Sequence, residues 1–236
     1  MIEKSYDFAL VILSVVVATI GGYVAIEIAQ HVRVSGVRRR ILWSIGGALA
    51  LGVGIWSMHF VGMLALRLPM LVWYDALLIF VSIVAAVGGC AIAFVIFNRP
   101  TVNAWQLALA SIFMGLAISS MHYTGMEGMR TSVAISYDPR VVAASVAVAI
   151  IVSFAALALT RNLIETGPTK RAPFKKAAAS LLLGSAVAGM HYTGMAAAHF
   201  SGGSTAWTPA NGLVLGTYQL GWIVAITSPL ILVIAL

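Results

Sequence analysis

Leu51-Gly52-Val53-Gly54-Ile55-Trp56-Ser57-Met58-His59-Phe60-Val61-Gly62-Met63 is apolar enough to lie in a bilayer, yet its last turns carry a histidine and two methionines. The closing hexapeptide, Met58 to Met63, returns as Met121-His122-Tyr123-Thr124-Gly125-Met126 and as Met190-His191-Tyr192-Thr193-Gly194-Met195. The repeat takes three of the five histidines and six of the ten methionines in the chain. Imidazole and thioether are the side-chain ligands that soft and borderline metals prefer, Cu(I) above all. Polar groups at membrane depth are costly and tend to be functional.

Outward from the motif the whole chain reads as membrane-embedded. It is 61% hydrophobic and 9% charged, unlike a soluble domain. One helical crossing of the ~30 Å hydrocarbon core takes about 20 apolar residues. Seven stretches qualify, at roughly 7–30, 41–66, 74–97, 104–127, 140–160, 177–200 and 213–236. The expected fold class is an all-α integral membrane protein of seven transmembrane helices. A β-barrel is excluded, because its strands alternate polar and apolar residues and these runs do not.

The net charge of +7 is a topology signal. Arg33, Arg38, Arg39, Arg40, Arg99, Arg161, Lys170, Arg171, Lys175 and Lys176 lie on one side of the spans, and Lys4, Arg67, Arg130 and Arg140 on the other. This positive-inside asymmetry places the N-terminus outside and the C-terminus in the cytoplasm, with the basic loops against anionic lipid head groups. That distribution argues against nucleic acid as a partner. The single cysteine, Cys90, reads as a core thiol, and Glu27 as a buried charge that pairs with a basic loop residue.

Spans pair into a threefold repeat of helices 1–2, 3–4 and 5–6, with helix 7 left over, and the motif falls on the even helix each time. Seven residues before each histidine stands a glycine, Gly52, Gly115 or Gly184, and eleven before it Ala48, Ser111 or Ser180. Such stripes let transmembrane helices approach closely. Residues four apart are neighbours on a helix, so His59 stacks with Met63, His122 with Met126 and His191 with Met195. Helices 2, 4 and 6 are expected to pack with their histidines facing one another. His59 lies about 18 residues along its span, or ~27 Å, in the outer leaflet, and the other two share that level.

The ranking of ligands follows. His59, His122 and His191 come first, Met63, Met126 and Met195 second, and Met58, Met121 and Met190, rotated ~100° from the histidines, third. Tyr123, Tyr192, Thr124, Thr193 and His199 are candidates for hydrogen bonding around the ligands, although Phe60 and Val61 replace Tyr and Thr in the first copy. Arg67 and Arg130 snorkel to the surface. Trp73, Tyr74 and Tyr137 fit an interfacial belt. No phosphate loop, Ser/His/Asp set or paired membrane carboxylate is present, so the cluster reads as a binding site and this region as no enzyme. Copper is the expected cofactor, with zinc on three histidines or haem as alternatives. A copper transporter or channel is the alternative function, although the inner halves of helices 2, 4 and 6 offer no succession of ligands.

The tetrads Met121-His122-Tyr123-Thr124 and Met190-His191-Tyr192-Thr193 resemble the signature of the MHYT family, with Met58-His59-Phe60-Val61 as a degenerate copy. The resemblance covers the whole chain and implies a multi-pass sensor of the bacterial cytoplasmic membrane. It implies copper held by His and Met, and a diatomic gas (oxygen, nitric oxide or carbon monoxide) or copper itself as the signal. It also implies a cytoplasmic signalling module in cis or in trans, either a diguanylate cyclase/phosphodiesterase of the GGDEF and EAL types or a histidine kinase, and it is compatible with a homodimer. The natural chain is expected to continue beyond residue 236 into such an output domain.

Overall fold

A computed structural model describes residues 2, 4–34, 36–99, 101–166, 171–202 and 213–235. Its helices are α1 (Phe8–Val34), α2 (Val37–Ala65), α3 (Ala76–Phe97), α4 (Ala104–Glu127), α5 (Pro139–Thr166), α6 (Ala172–Ala197) and α7 (Thr217–Ala235). Among the described residues, α1 to α5 are long and apolar enough to cross a membrane by length and composition. α6 is more polar, with Lys175 and Lys176 in its first turns and several Ser, Gly, His and Thr along it. In hydrocarbon every backbone N–H and C=O must be satisfied within the chain, which is why apolar runs of this length fold as helices.

One feature precedes α1, α3 and α5 alike. Asp7, Asp75 and Asp138 each follow a tyrosine (Tyr6, Tyr74 and Tyr137) and cap the helix that begins there. Oδ1 of Asp7 accepts from the Ala9 and Leu10 N–H groups, that of Asp75 from Leu77 and Leu78, and that of Asp138 from Arg140 and Val141. These bonds satisfy amides that a helix start leaves unpaired. α4 begins with a capping box between Asn103 and Gln106.

The all-helical expectation omits a set of short strands at the motif-bearing ends. β1 (Ser5–Tyr6) pairs with β2 (Leu66–Arg67), β3 (Trp73–Asp75) with β4 (Met129–Arg130), and β5 (Ala134–Tyr137) with β6 (Ala198–Ser201), all antiparallel. The N–H of each capping aspartate extends the pairing, to the carbonyls of Ala65, Gly128 and Ala197 respectively. Each two-helix unit is therefore a hairpin closed by a strand clasp at its open end. β7 (Val214–Gly216) adds to β3 and leads into α7. Hydropathy marks the apolar length of a segment, not its helical length. So α1, α2, α5 and α6 run further into their basic ends than expected, while residues 66, 74–75, 198–200 and 214–216 turn out to be strand.

Arg67 and Arg130 do not simply snorkel. They reach back to the capping aspartates, with Arg67 Nη2 2.5 Å from Asp7 and Arg130 Nη2 3.1 Å from Asp75. The hydrogen bond from Arg67, with those from backbone N–H groups, holds the Asp7 carboxyl below the usual range. At Asp75 a burial penalty is outweighed by Arg130 and the Leu77 and Leu78 N–H groups, again lowering it. In the third unit the equivalent position is His199, exposed, and Asp138 has no ion pair among the described residues.

A depressed carboxylate contributes stability that is complete above its unfolded value, about 3.9, and lost as pH falls through the lower folded value. Acidification below about pH 4 is therefore expected to loosen the β1–β2 and β3–β4 clasps before β5–β6. Amide exchange at residues 6, 67, 74 and 130 against 137 and 199 measures it; uniform loosening would count against the two ion pairs.

The three hairpins close into a ring. α2, α4 and α6 form an inner set in mutual contact, and the outer helices bridge the units as α1–α6, α3–α2 and α5–α4. α7 packs on α2, where the Ser228 hydroxyl donates to Ser57 Oγ at 2.6 Å. With neighbours on all sides, α2 has 89% of its most apolar stretch buried, against 28% for α5. Phe8, Ile12, Phe80, Val84, Ile151 and Trp222 are exposed on the outer helices, an apolar girdle that suits lipid and not water. Glu27 of α1 meets Lys176 in the first turns of α6, so its basic partner is helical and not in a loop. Cys90 is buried against Met114, Sγ to Sδ 3.9 Å.

Candidate metal centre

His59, His122 and His191 project from the three inner helices into one point. All are at most 1% exposed. Their Nδ1 atoms form a triangle, 3.1 Å from His59 to His191, 3.1 Å from His122 to His59 and 3.2 Å from His191 to His122. The rings stand nearly perpendicular to one another, with centroids 5.0 to 5.1 Å apart. Among the described residues this is the one cluster of three His, Cys, Asp or Glu side chains placed to hold a metal.

Three such nitrogens cannot form a hydrogen-bonded ring. An imidazole Nδ1 either carries a proton and donates, or carries a lone pair and accepts, never both. However the protons are placed, at least one of the three pairs sets N–H against N–H or lone pair against lone pair, and repels. A cation at the centre turns all three lone pairs into ligands at once. The donor set and its convergence therefore fit a metal.

The motif glycines explain how the rings are held. A Cβ on Gly125 would lie 2.5 Å from Nε2 of His59, one on Gly194 2.6 Å from Nε2 of His122, and one on Gly62 2.5 Å from Nε2 of His191. Each imidazole back edge is seated against the glycine of a neighbouring inner helix, in cyclic order. That leaves no room for any side chain and directs Nδ1 inward. Among the described residues, Nε2 of all three rings is buried without a hydrogen-bond partner, unlike the usual metal-binding histidine, whose far nitrogen donates to an oxygen. The residue after each histidine closes a further side: Phe60, Tyr123 and Tyr192 lie edge-on to their own imidazoles at 4.6, 4.8 and 4.7 Å. A phenyl ring does this as well as a phenol, which is why Phe60 is accommodated.

The hydroxyls serve elsewhere. Tyr123 Oη pairs with Ser145 Oγ and Tyr192 Oη with Ser14 Oγ, both at 2.9 Å. These serines stand seven residues after the capping aspartates, and Ser82 has the same place in the second unit. By the repeat it corresponds to Phe60, which has no phenol to offer, and among the described residues its hydroxyl donates to the Ile79 carbonyl alone. Above them Tyr6 packs on Tyr192, Tyr74 on Phe60 and Tyr137 on Tyr123, with centroids 5.9, 6.0 and 5.8 Å apart. Burial pushes the Tyr6 and Tyr137 phenols up to about 12, so they stay neutral.

Tyr123→Phe is expected to cost about 0.5–1.5 kcal/mol, because the bond between the phenol and Ser145 is lost while Ser145 still donates to the Val142 carbonyl. Phe60→Tyr is expected to be tolerated, its hydroxyl finding Ser82. Thermal unfolding of both variants measures this; a large loss on Phe60→Tyr would break the equivalence of the three units.

The remaining motif residues are placed as follows. Met58, Met63, Met121, Met126, Met190 and Met195 are all buried. Thr124 and Thr193 are half-buried. His199 is exposed on β6, outside the imidazole cluster. Lys4 covers the end of α6, donating to the carbonyls of Met195 at 2.6 Å and Ala198 at 3.0 Å, a favourable place for a cation.

Gly52, Gly115 and Gly184 do mark close packing, but not among the inner helices. A Cβ at each would strike Val87 of α3, Ile150 of α5 and Thr19 of α1 respectively. Glycine stripes lie where two backbones touch, whereas the inner helices meet through imidazole rings. Gly62, Gly125 and Gly194 were legible as part of the hexapeptide, and the thrice-written Tyr-Asp as a second repeat, but neither advertises its contact.

Three strand-closed helical hairpins around a tri-histidine centre, clad in exposed apolar side chains, define a membrane protein built from an internal repeat. The chain belongs to the MHYT family, whose model, described as a bacterial signalling protein N terminal repeat, matches residues 52–110, 115–169 and 184–233. The matches begin at the three packing glycines, one helix out of phase with the strand-closed units. The chain is 41% identical over 213 residues to the bifunctional diguanylate cyclase/cyclic di-GMP phosphodiesterase MucR of Pseudomonas aeruginosa, covering 90% of this chain and 31% of that protein. It is 37% identical over 223 residues to the cyclic di-GMP phosphodiesterase NbdA of the same organism, covering 94% of this chain and 28% of that protein. With the signaling protein YkoW of Bacillus subtilis it shares 34% identity over 199 residues, 84% of this chain and 25% of the relative. The chain thus spans about a third or less of these curated relatives. No solved structure matches it.

Proposed function

We propose that the chain is the input domain of a membrane signalling protein, with copper held by His59, His122 and His191 and read out in the cytoplasm. The observation that carries this is the meeting of three buried Nδ1 atoms within 3.2 Å of one another. Met63, Met126 and Met195 are the methionines assigned as further ligands, and Met58, Met121 and Met190 follow. The hexapeptides that carry the three imidazoles also carry six buried thioethers, a soft donor type that favours Cu(I). Zinc is the second reading, supported by the three-imidazole set itself. Rings this close leave no slot for a porphyrin, which counts against haem, and a single ligand level counts against transport.

All seven helices span the membrane in this reading, with the N-terminus outside, the histidines in the outer leaflet and the basic ends in the cytoplasm. The setting is the cytoplasmic membrane of a bacterium. Bound copper supplies a soft centre able to take a small neutral ligand such as oxygen, nitric oxide or carbon monoxide. The protein's own part is to hold three rings rigidly and to transmit any change in their spacing. Ser57, two residues before His59, is tied to Ser228 of α7, next to Pro229 within that helix. A shift of α2 is thereby passed to the last helix before the cytoplasm, and binding signals only if it favours one helix arrangement. The two relatives named for cyclic di-GMP turnover support such an enzyme as the output module, in cis.

The test is elemental analysis of protein purified from cells supplied with both copper and zinc. Copper bound in proportion to protein, and a changed copper spectrum on adding nitric oxide or carbon monoxide, are the expected results. Zinc in its place selects the second reading. No retained metal after reconstitution with either would sink both.

A further inference from the structure

At the end of the bundle remote from the histidines, a cavity of about 390 Å³ opens between α1, α2 and α3. Arg40 is 19 residues before His59 on α2, ~28 Å at 1.5 Å per residue. The walls include Ile41, Ile45 and Val95, which are 58%, 52% and 60% exposed, so the cavity opens sideways towards the girdle. Two arginines, Arg40 and Arg99, and Asn98 stand at its polar end. Arg40 Nη2 donates to the Asn98 carbonyl at 3.2 Å, which holds the guanidinium over the C-terminus of α3, and its other N–H groups have no partner among the described residues. Asn98 is 4% exposed, and among the described residues neither its Nδ2 nor its Oδ1 has a partner. A buried amide left unpaired costs free energy and calls for an explanation.

We propose that this cavity is a binding site for an anionic phospholipid whose headgroup carries hydroxyls, phosphatidylglycerol in chemical class. The phosphodiester accepts from Arg40, Arg99 and Asn98 Nδ2, as charge-assisted hydrogen bonds. A headgroup hydroxyl donates to Asn98 Oδ1, the acceptor that a bare phosphate would leave orphaned. The acyl chains lie along Ile41, Ile45 and Val95, where a soluble anion would leave apolar surface uncovered. The site joins the ends of α2 and α3, so lipid composition bears on the helix that carries His59. The proposal rests on the membrane-embedded reading above.

The test is the full chain in phosphatidylcholine nanodiscs with phosphatidylglycerol added in steps, retained lipid being counted by native mass spectrometry. Phosphatidylglycerol is expected to be retained over phosphatidylcholine on the order of tenfold. Arg40→Gln with Arg99→Gln should abolish the preference, whereas Arg38→Gln with Arg39→Gln, which removes the same charge outside the cavity, should keep it. Ile45→Trp should weaken retention with no change of charge, and the exposed Arg99→Gln alone guards against misfolding of the double variant. Asn98→Leu should weaken phosphatidylglycerol more than phosphatidic acid, which lacks the headgroup hydroxyls. Equal loss in both double variants means diffuse surface charge and overturns the site. Displacement by inorganic phosphate overturns the lipid in favour of a free anion. Failure to enter nanodiscs at all would strike the membrane reading itself, whereas incorporation without lipid preference would strike the site alone.

Discussion

His122→Ala is expected to lower metal affinity by at least about a hundredfold while leaving the metal-free protein folded. Loss of a residue that merely orients a ligand already costs ~10–100-fold, and here a ligand itself is removed from a set of three. In the metal-free protein two effects oppose each other. Truncating a buried ring leaves a cavity, which destabilises, but it also relieves one of three converging lone pairs. In the bound protein only losses remain. Ligand at a hundred times its dissociation constant stabilises by about 2.7 kcal/mol, and a hundredfold weaker site reduces this to about 0.4 kcal/mol. The readout is therefore the difference between unfolding with and without copper, which should nearly vanish in the variant. Unchanged metal content would refute the centre. His59→Ala and His191→Ala should behave alike, since the three nitrogens form a near-equilateral triangle.

Gly125→Ala is expected to destabilise by about 1–3 kcal/mol, the usual cost of overpacking, and also to weaken metal binding. The new methyl would sit 2.5 Å from His59 Nε2 and 3.0 Å from its Cδ2. The ring cannot swing away freely, because Phe60 lies edge-on at 4.6 Å and two imidazoles flank it. Its only relief is to push Nδ1 out of register with the other two nitrogens. Gly52→Ala separates the two effects, because its methyl meets the Val87 backbone at 2.7 Å. That strains the α2–α3 contact and leaves the rings alone, so stability should fall with metal affinity nearly intact. Gly46→Ala and Gly88→Ala, where a methyl meets nothing within 4 Å among the described residues, should be neutral or stabilise by up to about 1 kcal/mol. Metal titrations and thermal unfolding of these four variants decide the matter. If Gly125→Ala were as harmless as Gly46→Ala, the glycine seats would have no role in holding the rings.

How much was legible differs between kinds of feature. The helices from apolar runs, the repeat, the even helices as motif carriers and a common level for His59, His122 and His191 all follow from local composition and spacing. The strand clasps escaped, being only two to four residues each, too short for an alternating pattern to show. Tyr6-Asp7, Tyr74-Asp75 and Tyr137-Asp138 were visible as letters, but a capping aspartate is recognised only once a helix start is placed beside it. The partners of Gly52, Gly115 and Gly184 were misjudged, because periodicity reports which face a residue occupies and not which of several neighbours that face meets. The residue types of Tyr123 and Tyr192 suggest hydrogen bonding around the ligands, but their hydroxyls turn to Ser145 and Ser14.

By itself, then, the sequence determined that this chain is helical, apolar and threefold, with one imidazole at the same depth in each repeat, because helix period and hydropathy are properties of neighbouring residues. Only the tertiary structure decided that Nδ1 and not Nε2 faces the centre, that each ring rests on the glycine of the next inner helix, and that Arg67 and Arg130 clasp the hairpins shut. Those choices lie between residues about 55 to 130 positions apart. They exist only once the ring of hairpins has closed and excluded volume has settled which edge of each imidazole can fit.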